Sequence, residues 1–419
     1  MTNISKFGQK LARQSGIGQL MDDLGAALSG GREVLMLGGG NPAHIPQVEQ
    51  YFRRSMTQML ADGRFERAIG NYDPPAGNIE FIEALAGLLR GHFGWDIGPQ
   101  NIALTNGSQT AFFTLFNLFA GPYDGGVAKK LLFPLMPEYI GYCDVGVVPD
   151  LFVANKPRIE HLDGHLFKYH IDFDSLTIPD DVGVICVSRP TNPTGNVLSN
   201  GELQRLSGLA MAKGVPLIVD NAYGTPFPNI VFADAEPLWN DNTIVCMSLS
   251  KLGLPGVRTG IVIARPEIVE MVARVNAVMS LAPGGVGPTL ITDLVRSGEI
   301  IRIGRDIIRP FYQRKAQLVL EQIRECFKDV DYYVHQPEGA FFVWMWFPGL
   351  PITSRQLYER LKQWGVVIVP GHYFFPGLNE PWRHAEECIR VNYATDEKTV
   401  AAGIKIIAEE VRRARASKS

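Results

Sequence analysis

Short stretches of unbroken apolar residues alternate with helically spaced ones through the middle of this chain. The apolar stretches at 101–105, 130–133, 183–187, 216–219, 243–247 and 260–264 predict buried strands. Amphipathic spacing predicts helices over 109–119, 200–213 and 268–278. Strands apolar on both faces, with helices between them, predict a mostly parallel sheet covered on each side. A second pattern starts near residue 300. A long helical region runs to 327, and apolar strands at 340–346 and 366–369 then alternate with helices at 354–364 and 397–414. The expected fold class is α/β, with a large domain over 46–299 holding the mostly parallel sheet and a smaller α+β domain over 300–419. Residues 1–45 read as an N-terminal arm that joins the small domain, with a short helix near 17–28. Between arm and sheet, a polar, helix-compatible stretch runs to about residue 67. Asn71-Tyr72-Asp73-Pro74-Pro75-Ala76-Gly77 then breaks regular structure, and 79–93 has helical spacing.

With 419 residues, 46% of them hydrophobic, the chain can bury a large core and is too long for one compact unit. Lys and Arg number 40 against 43 Asp and Glu, for a net charge of −3. That balance offers neither a basic field for nucleic acid nor a polybasic membrane anchor, so small molecules are the partners expected. Cys143, Cys186, Cys246, Cys326 and Cys388 are dispersed, without a C-x-x-C pair, as in a reduced protein. Residues 1–19 lack the apolar core of a signal peptide, and no apolar run approaches bilayer length. A cytoplasmic protein is the expectation.

Reactive side chains collect where the predicted strands end. The strand at 243–247 runs into Ser248-Leu249-Ser250-Lys251, with Arg258 seven residues further on. A lysine at the end of a core strand can lose its proton in an apolar pocket and condense with an aldehyde. Two serine hydroxyls and an arginine beside it can hold a phosphate. An aldehyde and a phosphate on one cofactor suggest pyridoxal 5′-phosphate, joined to Lys251 as an imine.

Other strand ends add to this. Asn106-Gly107-Ser108-Gln109 leaves a strand and opens a helix, which favours anion binding by backbone N–H groups and the Ser108 hydroxyl. The plainer reading is a helix cap. Arg189-Pro190-Thr191-Asn192-Pro193-Thr194-Gly195 fixes a turn that presents the Asn192 amide, or is simply a turn. Asp220 ends the strand before the lysine strand, and Tyr223 follows three residues on. A carboxylate beneath a pyridine keeps the ring nitrogen protonated and makes the ring an electron sink. Tyr223 can donate to a phenolate oxygen; a capping or surface acid is the plainer reading of Asp220. Arg390, inside the apolar run Cys388-Ile389-Arg390-Val391-Asn392-Tyr393, must be paired or face a cavity. A substrate carboxylate or a structural ion pair would each satisfy it.

Two patterns carry less. Gly38-Gly39-Gly40-Asn41-Pro42-Ala43 matches the dinucleotide fingerprint G-x-G-x-x-A, but Pro42 and Pro46 leave the required helix without a start. His161, His165 and His170, with Asp163, read as a solvated loop; no spacing here marks a metal site.

Together the motifs resemble the class I/II aminotransferase family of fold-type I pyridoxal-phosphate enzymes, along nearly the whole chain. The order carries the resemblance: a strand-to-helix phosphate site, an aromatic loop, N-P-T-G, an aspartate with a tyrosine three residues on, then S-x-S-K and an arginine. So do the longer segments LGGGNPAHIP, NIALTNGSQTAFF, CVSRPTNPTGNV, DNAYGTPFP, CMSLSKLGLPGVRTG and VPGHYFFPGL. The resemblance implies that Lys251 holds the cofactor and moves the proton between the substrate α-carbon and the cofactor's C4′. It puts Asp220 at the pyridine nitrogen and Asn192 and Tyr223 at the phenolate oxygen. Ser108, Gln109, Ser248, Ser250 and Arg258 would hold the phosphate, with Tyr139 stacked on the ring. Tyr72 matches a tyrosine lent to the partner subunit's phosphate, which implies a homodimer. Arg390 and Gly40 would receive the substrate α-carboxylate, and Ile17 and Tyr139 would line the side-chain pocket. The implied reaction is ping-pong transamination between an apolar amino acid and a 2-oxo acid.

Rival readings keep the cofactor and change the outcome: another amino-acid specificity, a β-eliminating lyase or a cyclising synthase. The shared residues bind the cofactor and leave the fate of the carbanion open. A non-enzymatic aminotransferase-like regulator would be expected to carry a DNA-binding domain, of which there is no sign ahead of the arm. A nicotinamide dehydrogenase rests on the Gly38 pattern alone.

Overall fold

The computed structural model describes residues 4–12, 15, 16, 18, 22, 25 and 34–417. Ile17 and most of the helix expected near 17–28 lie outside the described residues. All six strands expected in the middle of the chain form, as Ile102–Thr105, Ala128–Phe133, Val182–Ser188, Leu217–Asp220, Thr243–Ser248 and Gly260–Ile263. They belong to an eight-stranded sheet, which Phe152–Ala154 and Gly121–Pro122 complete at one side. From Ala128–Phe133 across to Thr243–Ser248 the neighbours are parallel. Gly260–Ile263 runs antiparallel between Thr243–Ser248 and Ile102–Thr105.

Alternate residues of these strands enter two apolar layers, which is why the runs are apolar throughout. Leu104, Val245, Met247 and Ile261 pack with helices Ile79–Phe93 and Val286–Arg296. Ala103, Ile244, Cys246 and Val262 pack with helices Ser108–Phe119 and Pro266–Ser280 on the other face. The register then places chemistry: Ser188 lies opposite Asp220, Asp220 opposite Cys246, and Gly260 opposite both Ser248 and Thr105. The strand ends that carry the expected motifs therefore meet along one edge.

A second, six-stranded sheet orders Val369–Pro370, Cys388–Asn392, Phe342–Trp346, Tyr333–His335, Leu166–His170 and Arg158–Leu162. Its last two strands correct the solvated loop expected around His161, His165 and His170. They form an antiparallel hairpin. Phe167 and Tyr169 point into the core on alternate positions, and the charged and polar residues around them hide that signal. His170 sits between Glu202 and Glu160, at 3.1 and 2.6 Å. The strand expected over 366–369 is split. Val366–Val367 pairs with Leu35–Met36 in a small parallel sheet, and Val369–Pro370 joins the six-stranded one. The long helix near 300 is also interrupted, by a π turn at Gly304–Ile308, just ahead of Pro310, which has no N–H to donate. No helix among the described residues is long and apolar enough to cross a membrane.

Phe167 is fully buried against the rings of Tyr169, His335, Trp346 and His384. Phe167→Ala is expected to cost about 3–5 kcal/mol in a urea unfolding curve. Met211→Ala, on an exposed helix face, should stay within about 0.5 kcal/mol.

Candidate active site

One end of the site is built for an anion. Gly107 turns the chain from strand Ile102–Thr105 into helix Ser108–Phe119 with φ 88°, and a Cβ there would lie 2.2 Å from Arg258 Nη2. Arg258 has left-handed backbone (φ 49°, ψ 54°), which costs an L-residue about 1–2 kcal/mol. Its guanidinium lies over Gly107, within 3.5 Å of Ser250 Oγ and 3.1 Å of Pro255 O. The first N–H groups of a helix have no internal acceptor. A guanidinium, a hydroxyl and a helix N-terminus thus share one place, where anions are favoured.

Two of the residues expected here also make side-chain contacts within the protein. Gln109 donates its amide to Gly141 O at 2.7 Å, which ties the helix start to the turn carrying Tyr139. Ser248 is buried; its hydroxyl accepts from Ser250 N at 3.0 Å and contacts Thr259 O. Ser248 shapes the lysine loop, and Ser250 is the serine beside Arg258.

Lys251 stands in the 3-10 turn Ser250–Leu252, half-buried. Its Nζ donates to Gly40 O at 2.8 Å and lies 5.5 Å from the Tyr223 ring centre and 5.6 Å from that of Phe341. Burial, then the charge of Arg390, push the amine down to about 8; Arg258 adds to this and Asp220 opposes it. Asp220 is buried at its strand end. Its Oδ1 accepts from Ala222 N at 2.9 Å and its Oδ2 from the Tyr142 hydroxyl at 2.6 Å. Burial lifts its carboxyl to about 6, and the Tyr142 bond works against that rise.

Arg390 is 2% exposed, yet no carboxylate among the described residues pairs with it. Nη1 donates to Asn192 Oδ1 at 2.8 Å and Nη2 to Gly38 O at 2.5 Å. The Phe342 and Phe374 rings flank it, with centres 4.3 and 5.4 Å from the guanidinium carbon. Its Nε and the Tyr223 hydroxyl are buried without a partner. The structural ion pair considered for Arg390 is therefore not what holds it.

The glycine run Gly38-Gly39-Gly40 shows the site its carbonyls. They accept from Arg390, from Asn392 Nδ2 at 2.7 Å and from Lys251 in turn. A phosphate cradle needs N–H groups, and the next helix starts only at Pro46, so the dinucleotide pattern is not one in space. Tyr139 meets Tyr142 edge to face, ring centres 5.3 Å apart. Tyr72 stands apart, 83% exposed. Sequence reasoning missed Tyr142, Glu138 and Ser188, which reach Asp220 from behind. The signal was an acid, Glu138, closing the mostly apolar stretch from Leu131 to Pro137.

This donor set fits pyridoxal 5′-phosphate. The cradle suits its phosphate, a lysine amine lowered to about 8 its aldehyde, a buried aspartate its ring nitrogen, and the orphaned Tyr223 hydroxyl its phenolate oxygen. Fold and site define a pyridoxal-phosphate enzyme on an open α/β sheet. The chain belongs to the aminotransferases of class I and II, whose family model matches residues 50–407. It is 52% identical over 410 residues to the valine–pyruvate aminotransferase of Escherichia coli (strain K12), covering 98% of each chain. The crystal structure of valine–pyruvate aminotransferase from Salmonella typhimurium LT2 matches with a TM-score of 0.89 at 51% identity, over 96% of this chain and 99% of that one. A crystal structure from Psychrobacter arcticum 273-4 matches with a TM-score of 0.97 at 46% identity, over 99% and 100%.

In the cofactor-free protein, acylation of Lys251 should rise with pH through a midpoint near 8. Arg390→Gln removes a neighbouring positive charge that disfavours the ammonium form. The midpoint, followed by peptide mapping of the labelled protein, should move up toward the ordinary lysine range.

Proposed function

We propose that this enzyme moves the amino group of L-valine to pyruvate, giving 3-methyl-2-oxobutanoate and L-alanine in two half-reactions. The near end-to-end identity with the Escherichia coli enzyme carries this reading.

When bound, the cofactor supplies an aldehyde that condenses with amines and a ring that takes up the electron pair left by the departing α-proton. The protein's residues divide the remaining work. Asp220 keeps a proton on the ring nitrogen. Asn192 and Tyr223 hold the phenolate oxygen, and Tyr139 stacks on the ring. Ser108, the Gln109 N–H, Ser250 and Arg258 bind the phosphate, with Ser248 bracing their loop. Arg390, with the Gly40 N–H, receives the α-carboxylate. Lys251 would hold the cofactor's aldehyde and, as a free amine, would carry the proton between the substrate α-carbon and C4′. An amine depressed to about 8 suits that task, because both protonation states are populated near neutral pH.

The same reading makes the enzyme a homodimer in which Tyr72 serves the partner's phosphate. Ile69 and Tyr72, with Val278, Met279 and Leu281, are exposed. The two loops adjoin, since Ser280 contacts Asn106 and Gly285 lies beside Asp73 and Ala68. An apolar patch next to the anion cradle suits a subunit contact. A cytoplasmic location accords with five free thiols. The expected division into a cofactor-binding unit over 46–299, closed by 300–419 and the arm 1–45, is part of this proposal, except that residues 158–170 pair into one sheet with strands beyond 300.

Purified holoenzyme given L-valine and pyruvate should release L-alanine; an elimination product instead would refute transamination. Lys251→Ala should remove both turnover and the cofactor's visible band. Arg390→Ala should raise KM for the amino acid about 100-fold while leaving cofactor affinity within about twofold. Equal losses of the two would mark Arg390 as structural.

A further inference from the structure

Behind Asp220 lies a second buried acid that the chemistry above does not use. Glu138 is 1% exposed. Its Oε1 accepts from Ser188 N at 2.8 Å, and its Oε2 is hydrogen-bonded to Ser188 Oγ. Ser188 Oγ lies 3.5 Å from the Tyr142 hydroxyl, which donates to Asp220 Oδ2 at 2.6 Å. Strand register sets Ser188 directly opposite Asp220. A line of buried oxygens therefore joins one carboxyl to the other, and no cation among the described residues pairs with Glu138.

Counting protons decides which way this line points. The Tyr142 O–H is spent on Asp220. If Glu138 is ionised, the single O–H of Ser188 must turn to it, and Ser188 and Tyr142 then face each other with no proton between them. If Glu138 keeps its proton, it donates to Ser188, Ser188 to Tyr142, and Tyr142 to Asp220. Every O–H then points toward Asp220, and each bond strengthens the next. The Lys251 charge favours ionisation of Asp220, whereas no cation among the described residues is paired with Glu138, so the two buried carboxyls do not both ionise cheaply.

We propose that Glu138 is a positioning residue that stays protonated and, through Ser188 and Tyr142, holds Asp220 ionised and oriented toward the cofactor's ring nitrogen. The directions agree: burial raises both acids, the Asp220 charge raises Glu138 further, and the Tyr142 bond and the Lys251 charge lower Asp220. Burial and the Asp220 charge also keep the Tyr142 phenol protonated. The inference rests on Asp220 being the ring-nitrogen partner.

The test compares the affinity of the cofactor-free enzyme for pyridoxal 5′-phosphate and for its 1-deaza analogue, which has carbon in place of the ring nitrogen. Glu138→Gln keeps a donor and an acceptor, so it imitates the neutral acid and should bind the cofactor within about twofold of the parent. Glu138→Leu and Tyr142→Phe cut the line at its two ends, and each should weaken binding about tenfold. Combined, they should be no worse than either alone, since they act on one line. None of the variants should change binding of the analogue by more than about twofold. Glu138→Gln failing as badly as Glu138→Leu would overturn the neutral acid. Equal losses for cofactor and analogue, or additive losses in the double variant, would overturn the link to Asp220. Asp220→Asn separates the two layers. If it does not distinguish cofactor from analogue, the reading of Asp220 itself fails. If it does and Glu138→Leu does not, only the present inference fails.

Discussion

Inside the protein, the charges of Lys251 and Arg390 are met by neutral oxygens. Gly38 and Gly40 offer carbonyls, and Asn192 offers its amide oxygen. A carbonyl dipole lowers the cost of burying a cation without cancelling its charge. The site therefore keeps a positive field for a phosphate and a carboxylate. The same field, together with burial, lowers the lysine amine to about 8. A carboxylate in place of any of these oxygens would spend the charge on the protein itself.

This arrangement makes the glycine run structurally demanding. Its carbonyls must sit between a loop of the eight-stranded sheet, which carries Lys251, and a strand of the six-stranded sheet, which carries Arg390. The run is held there by the pairing of Leu35–Met36 with Val366–Val367 and by Leu37 N donating to Val367 O at 2.9 Å. Asn392 N donates to Leu37 O at 2.7 Å on the other side. A stretch that resembles a nucleotide-binding loop in one dimension is, in space, a backbone clamp on two cations. The anionic side of the site is built differently. Asp220 and Ser188 are neighbours by strand register, so the acid end inherits the stiffness of the sheet.

Much of this was legible in the residues. Strands buried on both faces announce themselves as unbroken apolar runs, and the reactive residues follow those runs directly. Lys251, Asp220, Asn192 and Arg258 could be placed for that reason. The hairpin Arg158–Leu162 and Leu166–His170 was not legible, because its inward residues are outnumbered by charged neighbours that cover the outer face. Val286–Arg296 and the split at Ile368 also escaped, the first a helix and the second a change of sheet within a single apolar run.

What the sequence determined by itself is the elements of the eight-stranded sheet's centre, most of the helices and the reactive groups at the strand ends, since these depend on local patterning and on residue type. It also carried the family likeness through the order of its motifs. Only the tertiary structure decided the partners. Gln109 turned to Gly141, Ser248 turned inward, Arg390 found Asn192 instead of an acid, and Glu138 came to stand behind Asp220. Apart from the local Ser248–Ser250 bond, each of these is a contact between residues distant in sequence or set by strand register. Hydrogen-bond direction within a few ångströms is a property of packing, and no periodicity along the chain encodes it.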